Sequence, residues 1–256
     1  MIGFDTSQLS HWYGSVFWPL TRILALFASA PVFSHASLPM RAKVGIALAI
    51  ALAIAPVVAA PPLAGLLEAS GFVMLAHNIL VGVALGFAIR LVFAGVELAG
   101  ELIGLQIGLS FAAFFNPDSR ESENVVSNFM SMLVLLMFLA IDGHLMLLSA
   151  LVDSFRVFPA AASGPLPIEP LALARGAADI FAIALTICLP ILAVMLLVNV
   201  VLGVMARVAP QLNLFAVGFP VTVLAGLAAL VLFLPTLESP IRAVLQKGLA
   251  AVSTGG

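Results

Sequence analysis

Charge is the scarcest commodity in this chain. Lys and Arg number 10 and Asp and Glu 12 among 256 residues, 9% in all, where a soluble domain carries about 25%. Water alone is therefore not its solvent. One cysteine, Cys188, excludes an internal disulfide. The formal net charge of −2 and the lack of a basic arm give nucleic acid no footprint. No His-Glu-x-x-His zinc motif and no Gly-rich phosphate loop before a Lys occurs, so neither a metal nor another cofactor is expected. No Lys or Arg precedes the first apolar stretch, and Arg22 lies inside it, so a cleaved signal peptide is not expected either.

Hydrophobic residues make up 63% of the chain. Residues 180–206 and 208–237 run without one charge, and about 20 apolar residues suffice to cross a bilayer. The chain reads as all-α, a polytopic membrane-type protein in one domain over 1–256. Seven apolar segments can be drawn, near 15–35, 44–60, 71–90, 91–115, 125–151, 177–206 and 211–237. The third and fourth abut, as one long broken helix or as a hairpin. With seven crossings and the N-terminus outside, Arg41, Lys43, Arg90, Arg156, Arg175, Arg242 and Lys247 fall in the cytoplasm, leaving Arg120 and Arg207 outside.

Ionisable residues inside such segments are expensive and need a reason. They are Arg22, His77, Arg90, Glu97, Glu101, Asp142 and His144. Either they relay protons, or they face protein at buried or interface positions. Glu97 and Glu101 share one helix face and would repel unless a donor, a cation or a shared proton intervenes. Asp142 and His144, two apart, would point to different sides of a helix. Gly100, Gly104 and Gly108 form a row at four-residue spacing, which lets another helix approach closely. Prolines at 19, 31, 56, 190, 210, 220 and 235 kink or end helices. The stretch 205–223, with Arg207, Gln211 and two prolines, does not resemble a simple lipid-facing rod.

Three phenylalanines, Phe111, Phe114 and Phe115, run into Asn116-Pro117-Asp118-Ser119. That tetrapeptide is a good turn, with Pro pre-set at its second position, and Ser119 or Ser122 can cap the next helix. The aromatic cluster reads as packed core or as a projecting surface. A rhomboid-type protease would need Gly-x-Ser-Gly where this chain has Gly108-Leu109-Ser110-Phe111, so an enzyme is not expected.

Four ordered stretches, 17–31, 79–119, 135–155 and 207–223, together resemble the FliR family of flagellar export proteins, and more distantly its injectisome counterpart SctT. The resemblance implies a subunit with kinked helices and helical hairpins, packed with FliP-like and FliQ-like subunits. Together they form the type III export gate at the flagellar basal body in the bacterial inner membrane. FlhB and FlhA would be neighbours, and unfolded proteins the cargo in transit. It also implies that partners surround helices which hydropathy assigns to lipid. The family's channel plug falls on 108–122, giving Phe111, Phe114, Phe115, Asn116 and Pro117 the role of a seal. Glu97, Glu101, Asp142, His144, Arg207 and Gln211 become buried polar or interface residues. The rival reading is a stand-alone proton-coupled transporter using Glu97, Glu101 or Asp142.

Overall fold

A computed structural model describes residues 6–34, 39–58, 68–109, 124–161, 170–209 and 214–254. Among these, every regular element is a helix: α1 (Thr6–Ser29), α2 (Pro31–Ser34), α3 (Met40–Ile54), α4 (Ala69–Ile107), α5 (Val125–Ala140), α6 (Gly143–Val157), α7 (Pro170–Val208) and α8 (Leu214–Thr254). The abutting third and fourth apolar segments are one continuous helix. No proline interrupts 69–107, and the glycines within it lie against neighbouring helices. At 1.5 Å per residue, α4 is about 58 Å long, nearly twice a hydrocarbon core of about 30 Å.

Among the described residues, three helices are long and apolar enough to cross a membrane: Ala69–Ile107, Ala178–Val208 and Val217–Gly248, with the α5–α6 pair a fourth if counted as one broken span. Seven crossings are thus not what the helices provide. The alternation of loops that sorted Arg41, Lys43, Arg90, Arg156, Arg175, Arg242 and Lys247 from Arg120 and Arg207 does not carry over. Pro190 sits inside α7, and Pro220, Pro235 and Pro240 inside α8, so these prolines interrupt the amide ladder without ending the helix.

The chain divides into two compact units, each assembled from distant stretches: Met1–Leu91 with Leu139–Gly176 and Gln246–Gly256, and Val92–Phe138 with Ala177–Leu245. In the first, α1 packs on α3, which turns Ala47 and Ala51 inward at full burial. The carbonyl of Arg22 fills the space a side chain at Gly82 would need, and Ser29 and Ala30 do the same at Gly86. A backbone-close, parallel contact between α1 and the first half of α4 follows. In the second unit, α4 buries Val92, Val96, Ala99, Ile103 and Ile107 at steps of three and four, and α5 buries Val126, Met130, Val134 and Phe138 at steps of four. Phe93 meets Phe138 edge to face, with centroids 5.9 Å apart. Ile183 of α7 lies over Gly95, and Ile107 lies against Gly226 of α8.

Candidate functional site

Within the second unit, α4 and α5 form an antiparallel hairpin whose register is legible residue by residue. Phe93 meets Phe138 at one end. Further along, Ser127 Oγ donates to the Glu97 carbonyl at 3.0 Å. A Cβ on Gly100 would stand 2.6 Å from the Ser127 Cα, and one on Gly104 would overlap the side chain of Asn124. The start of α5 therefore lies against Gly100, and Asn124, just before it, against Gly104.

Gly108 plays a different part. Its φ of 92° lies in the left-handed region, and the Leu109 N–H donates to the Gly104 carbonyl at 3.1 Å while the Gly108 N–H reaches Leu105 O at 3.1 Å. This paired pattern closes a helix C-terminus on a glycine and satisfies carbonyls that the helix leaves open. Gly108 stops α4. Four-residue spacing cannot distinguish these roles; the dihedral does.

On the return side, α5 starts at Val125, and Asn124 Oδ1 accepts the Val126 N–H at 3.0 Å, as an N-cap does. Asn124 Nδ2 donates to the Glu101 carbonyl at 3.3 Å. Sequence reasoning offered Ser119 and Ser122 as caps and missed Asn124, although an Asn immediately before an apolar run is a capping signal. The stop of α4 and the start of α5 thus stand beside each other, with 110–123 between them. Those residues include Phe111, Phe114, Phe115, Asn116 and Pro117, together with Ser119 and Ser122. They lie outside the described residues, as does Gln211.

The remaining predicted polar positions are scattered over the chain. Glu97 and Glu101 are exposed on α4, and Arg207 is exposed at the end of α7. Asp142, also exposed, links α5 to α6 with φ 56°. His144 is half-buried, and its Nδ1 has no hydrogen-bond partner. Burial inside this chain accounts for none of the four charges; an interface role needs a second molecule. Among the described residues, no cluster of three or more metal-ligating side chains occurs.

Among the described residues, the ionisable residues named above that the fold does bury are Arg22, 0% exposed, and His77, 3% exposed, both in the first unit. Arg22 Nε and Nη2 donate to Asn78 Oδ1 at 3.2 and 2.8 Å, Nη2 also to the Phe158 carbonyl at 2.8 Å, and Nη1 to Ser154 Oγ at 3.0 Å. The Phe155 ring covers the Arg22 Cζ at 3.9 Å. Asn78 Nδ2 then donates to Met74 O and to Ala160 O. Neutral acceptors and an aromatic face thus solvate the cation and join α1, α4 and the end of α6.

Comparison with known proteins agrees with this architecture. Residues 13–248 match the family described as "Bacterial export proteins, family 1". The chain is 42% identical over 237 residues to the flagellar biosynthetic protein FliR of Pectobacterium carotovorum subsp. carotovorum, covering 92% of this chain and 90% of that protein. It is 40% identical to FliR of Escherichia coli strain K12 with the same coverage, and 29% identical to FliR of Bacillus subtilis strain 168, covering 87% of each. These are export components and not enzymes, and with the membrane-length helices they place the chain in the bacterial inner membrane, at the flagellar basal body. The chain belongs to the FliR family and is a component of the flagellar type III export apparatus.

Proposed function

We propose that this chain assembles with FliP-like and FliQ-like subunits into the export gate, beside FlhB and FlhA, and carries the plug of its channel on residues 108–122. One observation supports the plug above all. The segment is flanked by the α4–α5 hairpin, in which Asn124, at the start of α5, bonds the Glu101 carbonyl of α4, and Gly108 ends α4. Phe111, Phe114 and Phe115 supply the plug's apolar mass, each able to bury roughly 150–250 Å², and an apolar constriction blocks ions by dewetting. The sequence Asn116-Pro117 favours a turn.

The surface supports assembly. Large apolar side chains such as Leu197, Val201 and Val204 on α7 and Leu224, Val231 and Leu232 on α8 are more than half exposed. Glu97 and Glu101 stand exposed on a membrane-length helix. Partner helices would cover the apolar surface and supply donors to the carboxylates. Loss of the gene should abolish filament export and motility while leaving solute uptake intact. Retained motility would sink the assignment.

A further inference from the structure

We infer that α3 is an anchor for anionic lipid: Arg41 and Lys43 meet phosphate headgroups of one leaflet, and the apolar face beyond them enters its acyl layer. This goes beyond the gate reading, since it concerns the first unit and needs no partner subunit. Past the two cations, residues 44–54 carry no polar side chain, and a helix apolar all round belongs in an apolar medium. The chain itself supplies little of one. Against α1, α3 buries only Ala47 and Ala51, while Val44, Ile46, Leu48 and Leu52 stand 39–54% exposed. At about 22 Å, α3 is shorter than a hydrocarbon core of about 30 Å, so it enters a bilayer without crossing it.

Charge selects the headgroup. Arg41 and Lys43 occupy the first turn of α3, where the helix dipole disfavours cations, and Arg41 stands exposed. The sequence holds no Asp or Glu from 6 to 67. The other arginine of that stretch, Arg22, is fully buried among neutral acceptors. The charge this stretch presents outward is therefore positive, and its complement is an anionic surface. A Lys or Arg near an anionic leaflet gains about fivefold in binding, and its stem lies along apolar chains while the charge stays at the headgroups. A bilayer supplies both parts, phosphate at its surface and hydrocarbon beneath, in the order in which α3 presents them. The exposed leucines and valines of α7 and α8 differ, because residues 180–206 and 208–237 hold no charge to prefer one headgroup over another.

The experiment reads which lipid touches α3. Cys188→Ser removes the single native thiol, and a bimane fluorophore is placed on Ile46→Cys in the full chain, reconstituted into phosphatidylcholine liposomes. A minor fraction of the lipid is replaced by brominated phosphatidylglycerol or, at the same mole fraction, by brominated phosphatidylcholine. The anchor predicts quenching by both, roughly two- to fivefold stronger with phosphatidylglycerol. High salt, or Arg41→Gln with Lys43→Gln, should remove that excess. Bimane on Leu197→Cys of α7 should be quenched equally by the two lipids. The parent decides even if the double variant fails to fold: equal quenching at Ile46 by the two lipids, or none by either, overturns the inference. The measurement is repeated with FliP-like and FliQ-like subunits reconstituted alongside. Retained excess quenching upholds the anchor, whereas quenching lost on their addition gives the face to a protein partner and overturns it.

Discussion

The guanidinium carbon of Arg22 lies 3.9 Å from the centroid of the Phe155 ring, and its nitrogens bond Asn78, Ser154 and the Phe158 carbonyl. An arginine in an apolar helix is tolerated here because it is hidden, and it is hidden only when α4 and α6 have reached α1. Arg22→Ala should destabilise the first unit by about 3–5 kcal/mol, through the cavity left by a large buried side chain and the acceptors it strands. Ser154→Ala should cost about 1–3 kcal/mol through the unpaired Nη1 donor. Equilibrium unfolding in mixed micelles measures both. In the Arg22→Met background Ser154→Ala should cost less than it does alone, because the donor it strands is already gone.

Close helix packing makes a contrast among glycines. A Cβ at Gly82 would meet the Arg22 carbonyl, whereas one at Gly203 or Gly45 would meet nothing within 4 Å. Gly82→Ala should therefore destabilise by about 1–3 kcal/mol. Gly203→Ala and Gly45→Ala should stabilise their helices by roughly 0.5–1 kcal/mol. The same unfolding measurement decides, and equal effects at all three sites would contradict the packing.

Much of this molecule was legible in its composition. Long uncharged runs announced membrane-grade helices. What stayed hidden depends on contacts far apart in sequence. Arg22 gave no hint of partners 56, 132 and 136 positions away. Gly108 shared the spacing of its row but serves a turn. Hydropathy drew α4 as two abutting segments, 71–90 and 91–115, because at about 58 Å it is nearly twice the length one crossing needs. Asn124 was overlooked because two serines nearer the Asn-Pro turn drew the capping assignment.

Asp142 supplies a test of backbone strain. It is the one non-glycine residue with positive φ among the described residues, and left-handed backbone costs most L-residues about 1–2 kcal/mol. Asp142→Gly should be neutral or slightly stabilising, and Asp142→Val should lose about 1–2 kcal/mol, again by unfolding in micelles. Equal stability of the two variants would mean that the turn between α5 and α6 is not held in this conformation.

The plug reading predicts leakage. Replacing Phe111, Phe114 and Phe115 together with alanine should leave assembly intact and raise ion flux through the closed complex, read as conductance in planar bilayers. A triple variant that assembles and stays as tight as its parent would put the seal elsewhere.

Membership of an assembly is the claim on which the rest depends, and native mass spectrometry tests it most directly. The tagged chain is co-expressed with FliP-like and FliQ-like subunits and released in mild detergent. The account predicts one discrete complex containing all three. Recovery of this chain alone, while the other two assemble without it, would contradict the account.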